Sequence, residues 1–114
     1  MIVHVVLFRP KPSLTPEARE ALLASFTAAV QEIASLRRAR VGRRVRTGRP
    51  YEQAMREDYT HAAVLEFDDQ AGLLAYLAAP AHEELARRFF ADVEQVLVYD
   101  FNLEEGARSA MSDL

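Results

Sequence analysis

Apolar and polar positions along the chain fall into short blocks of two different periods. Residues 2–8 (IVHVVLF) are an apolar, valine-rich run stopped by Pro10 and Pro12, which predicts a strand. Residues 15–36 switch to a helical period: Leu22, Phe26, Ala29, Ile33 and Leu36 recur at steps of four and three and make one stripe. Thr15 suits the N-cap of that helix, Pro16 its first position and Glu17 the positive end of its dipole. Residues 40–47 (RVGRRVRT) predict a second, more polar strand, with Val41 and Val45 toward a core and Arg40, Arg44 and Arg46 toward solvent or a rim. A charged connection at 48–58, punctuated by Gly48 and Pro50, leads to a third strand at 60–67 (THAAVLEF). Asp68 or Asp69 then caps a helix that breaks at Ala79-Pro80 and restarts as PAHEELARRFFADVE. Residues 96–102 (VLVYDFN) close the pattern as a fourth strand. The order β-α-β-β-α-β predicts an α+β, ferredoxin-like protomer over residues 1–103, with a polar tail at 104–114.

Strand parity carries the prediction further. The first strand puts Ile2, His4, Val6 and Phe8 on one side and Val3, Val5 and Leu7 on the other. Two helices cover only one face of a four-stranded sheet, and each fully buried Val or Leu contributes about 1.5–3 kcal/mol. The last strand is also two-sided, with Leu97, Tyr99 and Phe101 opposite Val96 and Val98. Two such sheets packed face to face across a two-fold axis bury both sets, so a homodimer is expected.

Composition narrows the class. The 114 residues suffice for one domain, and 50% hydrophobic with 27% charged residues is ordinary for a globular chain. A net charge of −3 favours neither nucleic acid nor an anionic membrane. Seven of the thirteen arginines lie between Arg37 and Arg49, but without interleaved aromatics, so they read as the charged guard of an edge strand. The absence of cysteine excludes disulfides and thiolate chemistry. The opening apolar run is too short to span a bilayer, which makes a cytoplasmic protein the expectation. No local histidine spacing suggests a metal, and no glycine-rich phosphate loop suggests a cofactor.

The chemistry available is imidazole and phenol. His4 and His61 sit within strands and share parity with apolar neighbours; taken singly, each fits a core histidine bonded to a carbonyl as readily as a catalyst. His82 follows Pro80, six residues after Tyr76. In a continuous helix that spacing is about 600°, roughly 120° short of two turns, so the side chains diverge unless the Ala79-Pro80 break turns them together. The positive end of the restarted helix would favour a neutral His82, the form a general base needs. A pocket between helices and sheet, lined by Phe8, Leu22, Leu23, Phe26, Leu65 and Phe89, would be apolar with few polar groups, suited to a small molecule.

The segments IVHVVLFRPKP, DYTHAAVLEFDD, AYLAAPAHEEL and VLVYDFN together resemble the Dabb family of stress-responsive dimeric α/β-barrel domains, over nearly the whole chain to about Leu103. That resemblance implies a ferredoxin-like protomer and a two-fold dimer. One branch of the family, typified by olivetolic acid cyclase, closes polyketide chains by aldol condensation. Tyr76 and His82 resemble the catalytic pair of that branch, with the histidine as general base and the tyrosine on the oxyanion. His4 and His61 resemble the histidines that flank its cavity. Phe26 stands where the plant enzyme has tyrosine, and the Gly48–Asp58 connection is longer, so the substrates should differ. The resemblance thus implies a cofactor-independent acid–base enzyme acting on a small aromatic or polyketide-like ligand. The alternative is a non-catalytic stress-response or scaffold protein with structural histidines.

Overall fold

The computed structural model describes residues 1–114. In chain order the elements are β1 (Ile2–Pro10), α1 (Pro16–Glu32), β2 (Arg38–Arg43), α2 (Tyr51–Ala54), β3 (His61–Phe67), α3 (Gln70–Ala78), α4 (Pro80–Asp92) and β4 (Val93–Asn102). The strands form one sheet in the order β2-β3-β1-β4, antiparallel throughout. With α2 a single turn inserted in the connection, this is the ferredoxin-like βαββαβ layout. No helix is long and apolar enough to cross a membrane.

Local signals place the helix starts. The Thr15 hydroxyl accepts a hydrogen bond from the Ala18 amide at 3.1 Å, and the Asp69 carboxylate accepts one from the Gly72 amide at 2.8 Å. Helix α1 stops at Glu32, short of the expected 36. Ile33 is already extended (φ −95°, ψ 99°), yet Ile33 and Leu36 are buried, so the apolar stripe runs past the last helical turn. The second strand occupies 38–43 rather than 40–47. Its pairing with β3 begins with Arg38 opposite Glu66 and closes with the Arg44 amide on the Thr60 carbonyl. Val41 and Val45 do not enter the core: they are 52% and 79% exposed. Val41 has the helix-facing parity, opposite Ala63, but β2 is an edge strand beyond the reach of the helices, which pack over β1 and β3. Helix α4 ends at Asp92 and β4 follows without a loop, so that strand starts three residues earlier than its apolar pattern suggests.

The core lies between the helices and one sheet face. Ala63, Leu65 and Phe67 of β3 are buried there against Ala29 and Ile33 of α1 and its end, Leu73 and Tyr76 of α3, and Leu85 of α4. The other face carries no helix. Register places Val3, Val5 and Leu7 between Glu66, Val64 and Ala62 on one side and Phe101, Tyr99 and Leu97 on the other. Leu97, Tyr99 and Phe101 are 37%, 57% and 50% exposed.

Candidate functional site

His4 points into the helix-covered side of β1 and is buried. Directly opposite in the ladder is Asp100 of β4, whose Oδ1 lies 2.6 Å from His4 Nδ1. An ionised carboxylate can only accept, so Nδ1 carries the donated proton and a neutral His4 presents a free Nε2. Asp100 is a site residue that the sequence reading passed over. Its signal was present: it is the one charged side chain of helix-facing parity between Val98 and Asn102.

Tyr76 ends the apolar face of α3. Its ring is 6.0 Å from that of His4, edge-on, and 5.2 Å from that of Phe67. It is only 3% exposed, and burial pushes its phenol up to about 12. Burial is the sole cause, so no neighbouring cation or donor stabilises a phenolate, and the hydroxyl stays protonated as a donor.

The break between α3 and α4 brings His82 to this tyrosine. Ala79 is extended (φ −71°, ψ 141°) and Pro80 opens α4. The broken ladder leaves carbonyls in the last turn of α3 without helical donors, and His82 Nδ1 donates to one of them, Leu77 O, at 3.1 Å. The Tyr76 and His82 rings are then 4.6 Å apart. With Nδ1 committed to a carbonyl, neutral His82 also has a free Nε2. Burial pushes its pKa below the ordinary histidine value and nearby His4 adds to this, against the opposing pull of the Leu77 carbonyl. The lowering expected from the helix dipole therefore comes chiefly from desolvation. His82 keeps partial exposure.

The other residues singled out in the sequence lie elsewhere. His61 is opposite Phe8 in the ladder, four positions from His4's partner Leu65, or roughly 13 Å along the strand. It stacks on Phe8 with centroids 5.4 Å apart, and its Nδ1 is 2.8 Å from Thr60 Oγ1. Phe8 in turn meets Phe89 edge-on at 5.1 Å. Leu65 is buried beside His4, while Leu22 and Phe26 are half-buried against the core from α1. Leu23 lines no such pocket: it is 58% exposed, because the residue after Leu22 is about 100° further around the helix. No group of three or more histidine, aspartate or glutamate side chains is arranged to hold a metal ion.

A cleft of about 810 Å³ takes in His61 but not His4, Tyr76 or His82. It lies over one end of the uncovered sheet face, on Leu7, Ala62, Val64 and Leu97, between the end of β2 and the Met55–Tyr59 stretch of the connection. The connection is held there by Arg9, which donates to the Asp58 carbonyl at 2.9 Å, and by Asp58 itself, which accepts from Arg44 and Arg46 at 2.6 Å each.

The comparisons agree with this architecture. HS1 of Arabidopsis thaliana, a stress-response A/B barrel domain-containing protein, is 28% identical over 100 residues, covering 88% of this chain and 87% of that protein. A hydroxynitrile lyase from Passiflora edulis superposes with a TM-score of 0.77 at 21% identity, covering 92% of this chain and 94% of the other. A dimeric ferredoxin-like protein of unknown function from Thermobifida fusca superposes at 0.68 with 22% identity and 90% coverage of each chain. The family model of the stress responsive A/B barrel domain matches residues 2–103. The chain belongs to the Dabb family.

Proposed function

We propose that this chain is a homodimeric α/β-barrel protein that binds a small organic molecule and works on it by cofactor-independent acid–base chemistry of the polyketide-cyclase kind. The observation that carries the chemistry is the ring cluster: Tyr76 within 4.6 Å of His82 and 6.0 Å of His4, each histidine with Nδ1 committed and Nε2 free. His82, biased toward its neutral form, takes a proton from a carbon between two carbonyls. The enolate carbon attacks a second carbonyl of the same chain, and Tyr76 donates a hydrogen bond to the oxygen that gains charge. The proton that His82 takes on Nε2 then returns to that oxygen, while His4, held by Asp100, keeps its free Nε2 as an acceptor beside Tyr76. The fold-level likeness to a hydroxynitrile lyase supports this by analogy, since its name also implies making and breaking a carbon–carbon bond beside a carbonyl.

The dimer rests on area. A compact protein of this mass exposes about 6,300 Å², whereas this protomer exposes 8108 Å². The surplus, roughly 1,800 Å², exceeds the ~800 Å² per partner of a standard interface. The protomer is also flat, 17 Å along its shortest axis, with a radius of gyration of 15.7 Å against about 13 Å for a compact chain of this length. The apolar uncovered face is the surface a second copy would bury, and the Thermobifida fusca relative is described as dimeric.

One observation favours the scaffold reading: Tyr76 is 3% exposed and the large cleft does not reach it. The test is incubation with a synthetic linear tetraketide thioester, with products followed by mass spectrometry. The cyclase reading requires an aromatic product formed faster than in buffer, and His82→Ala and Tyr76→Phe should each lower that rate by about 10²–10⁴-fold. Cyclisation no faster than the spontaneous rate leaves the scaffold.

A further inference from the structure

We infer that the uncovered sheet face is self-complementary: the aromatic side chains of β4 on one copy fill the cleft on a second copy, and the reverse. This docking rests on the homodimer proposed above. Register makes the face uneven. β2 and β4 are opposite edges of the sheet, with the end of β2 beside the Phe8 end of β1 and the end of β4 beside its Ile2 end. The end of β4 stands proud, because Tyr99 and Phe101 are 57% and 50% exposed, with ring centroids 6.3 Å apart. The diagonally opposite corner is hollow. There the Met55–Tyr59 stretch rises beside β2 and leaves the cleft of about 810 Å³ over Leu7, Ala62 and Val64.

A two-fold axis that brings two such faces together lies in the plane between them. An axis along the strands sets cleft against cleft and leaves a void, which packed interiors avoid. An axis across the strands sets the arginine-rich β2 over its own copy, a like-charge contact. An axis on the diagonal exchanges the two corners, so the rings of each copy enter the cleft of the other. The strands of the two sheets then cross steeply, as in orthogonal sheet packing. About half of each ring remains to be covered, and an aromatic side chain buries ~150–250 Å² in full, so the two rings add roughly 150–250 Å². That is a fair share of the ~800 Å² per partner of a standard interface. Arg43 and Arg56 line the cleft and form no salt bridge within the chain, so their guanidinium groups are free to lie on the faces of the incoming rings.

The chain has no cysteine, so engineered thiols report the contact cleanly. Full-length Phe101→Cys and Met55→Cys proteins, refolded together from urea and mildly oxidised, should form a mixed disulfide, because such a bond needs Cα atoms within about 7 Å. Neither protein should cross-link alone. Equal cross-linking of either protein by itself, or none in the mixture, overturns the inference. Sedimentation of the wild type separates this result from the parent reading: a monomer removes the homodimer itself, whereas a dimer without the mixed disulfide removes only this mode of docking. Tyr99→Ala/Phe101→Ala should raise the dimer dissociation constant about a hundredfold or more. Leu74→Ala/Phe90→Ala, at similarly exposed positions on the helices, should leave it unchanged. Equal effects of the two pairs overturn the inference as well.

Discussion

Tyr76 gives the most direct test of the buried ring cluster, through the alkaline limb of stability. Its phenol is raised from 10.0 to about 12 by burial alone. A raised folded-state value contributes stability that is fully present below the unfolded value and is lost as pH rises through the folded one. From pH 10 to pH 12 the unfolded chain gives up the Tyr76 proton and the folded chain holds it, so each pH unit costs about 1.4 kcal/mol and the whole window roughly 3 kcal/mol. That is a large part of the ~5–15 kcal/mol that holds a domain together. Tyr76→Phe removes the proton and the cost together. Urea unfolding of both proteins at a series of pH values from 8 to 12, with the variant as reference, isolates this residue from every other group that titrates there. The expected result is a near-constant difference at pH 8–10 that then shifts in favour of the variant, with the wild-type phenolate absorbance attributable to Tyr76 appearing only near pH 12 or on unfolding. Parallel curves across the whole window would refute the reasoning. They would mean that the hydroxyl is solvated and cannot act as a desolvated donor.

Other perturbations address different parts of the molecule. Val5→Asp puts a carboxylate in the middle of the uncovered face, and sedimentation should show dissociation to a monomer or loss of the fold, against about twice the chain mass for the wild type. Because His82 is held below its ordinary value, the acid limb of kcat/KM for tetraketide cyclisation should lie below pH 6.5. The same lowering means that stability is present above the unfolded value and lost as pH falls from 6.5 toward the folded one; His82→Ala should remove that loss without a many-degree drop in Tm at pH 8. Asp100→Asn should leave the sheet folded but weaken the bias of His4 toward the Nδ1-protonated tautomer, readable in its ¹⁵N shifts and as a fall in turnover. Leu65→Ala, at a site 2% exposed beside His4, should cost about 2–5 kcal/mol in urea unfolding.

What the sequence made legible follows from which residues are governed by local rules. The period-two pattern assigned β1 and β3 to the correct faces, because their helix-facing residues pack against the core and no compensation is needed: Ala63 and Leu65 are inside while Val64 between them is not. The Tyr76–His82 approach was legible because proline chemistry breaks a helix whatever surrounds it. Val45 and Leu23 were misplaced because an apolar residue says that burial would be favourable, not that something arrives to bury it. Neither β2's far end nor the outer side of α1 has a covering layer, and for Leu23 the helical period alone excludes a shared face with Leu22. Asp100 and the cleft depend on longer-range placement. His4 meets Asp100 only because β4 crosses back beside β1 ninety-six positions further along the chain, and the cleft exists only because Arg9 and Asp58 tie the connection across one end of the sheet. The same alternation then separates the ring cluster from the uncovered face. Leu65 and its register partner His4 face the ring cluster, whereas Val64 and Ala62 face the cleft, so a slip of one residue in β3 would exchange the two surfaces. The ring cluster and the uncovered face thus share three strands with no side chain in common, so a substitution on one face leaves the lining of the other in place.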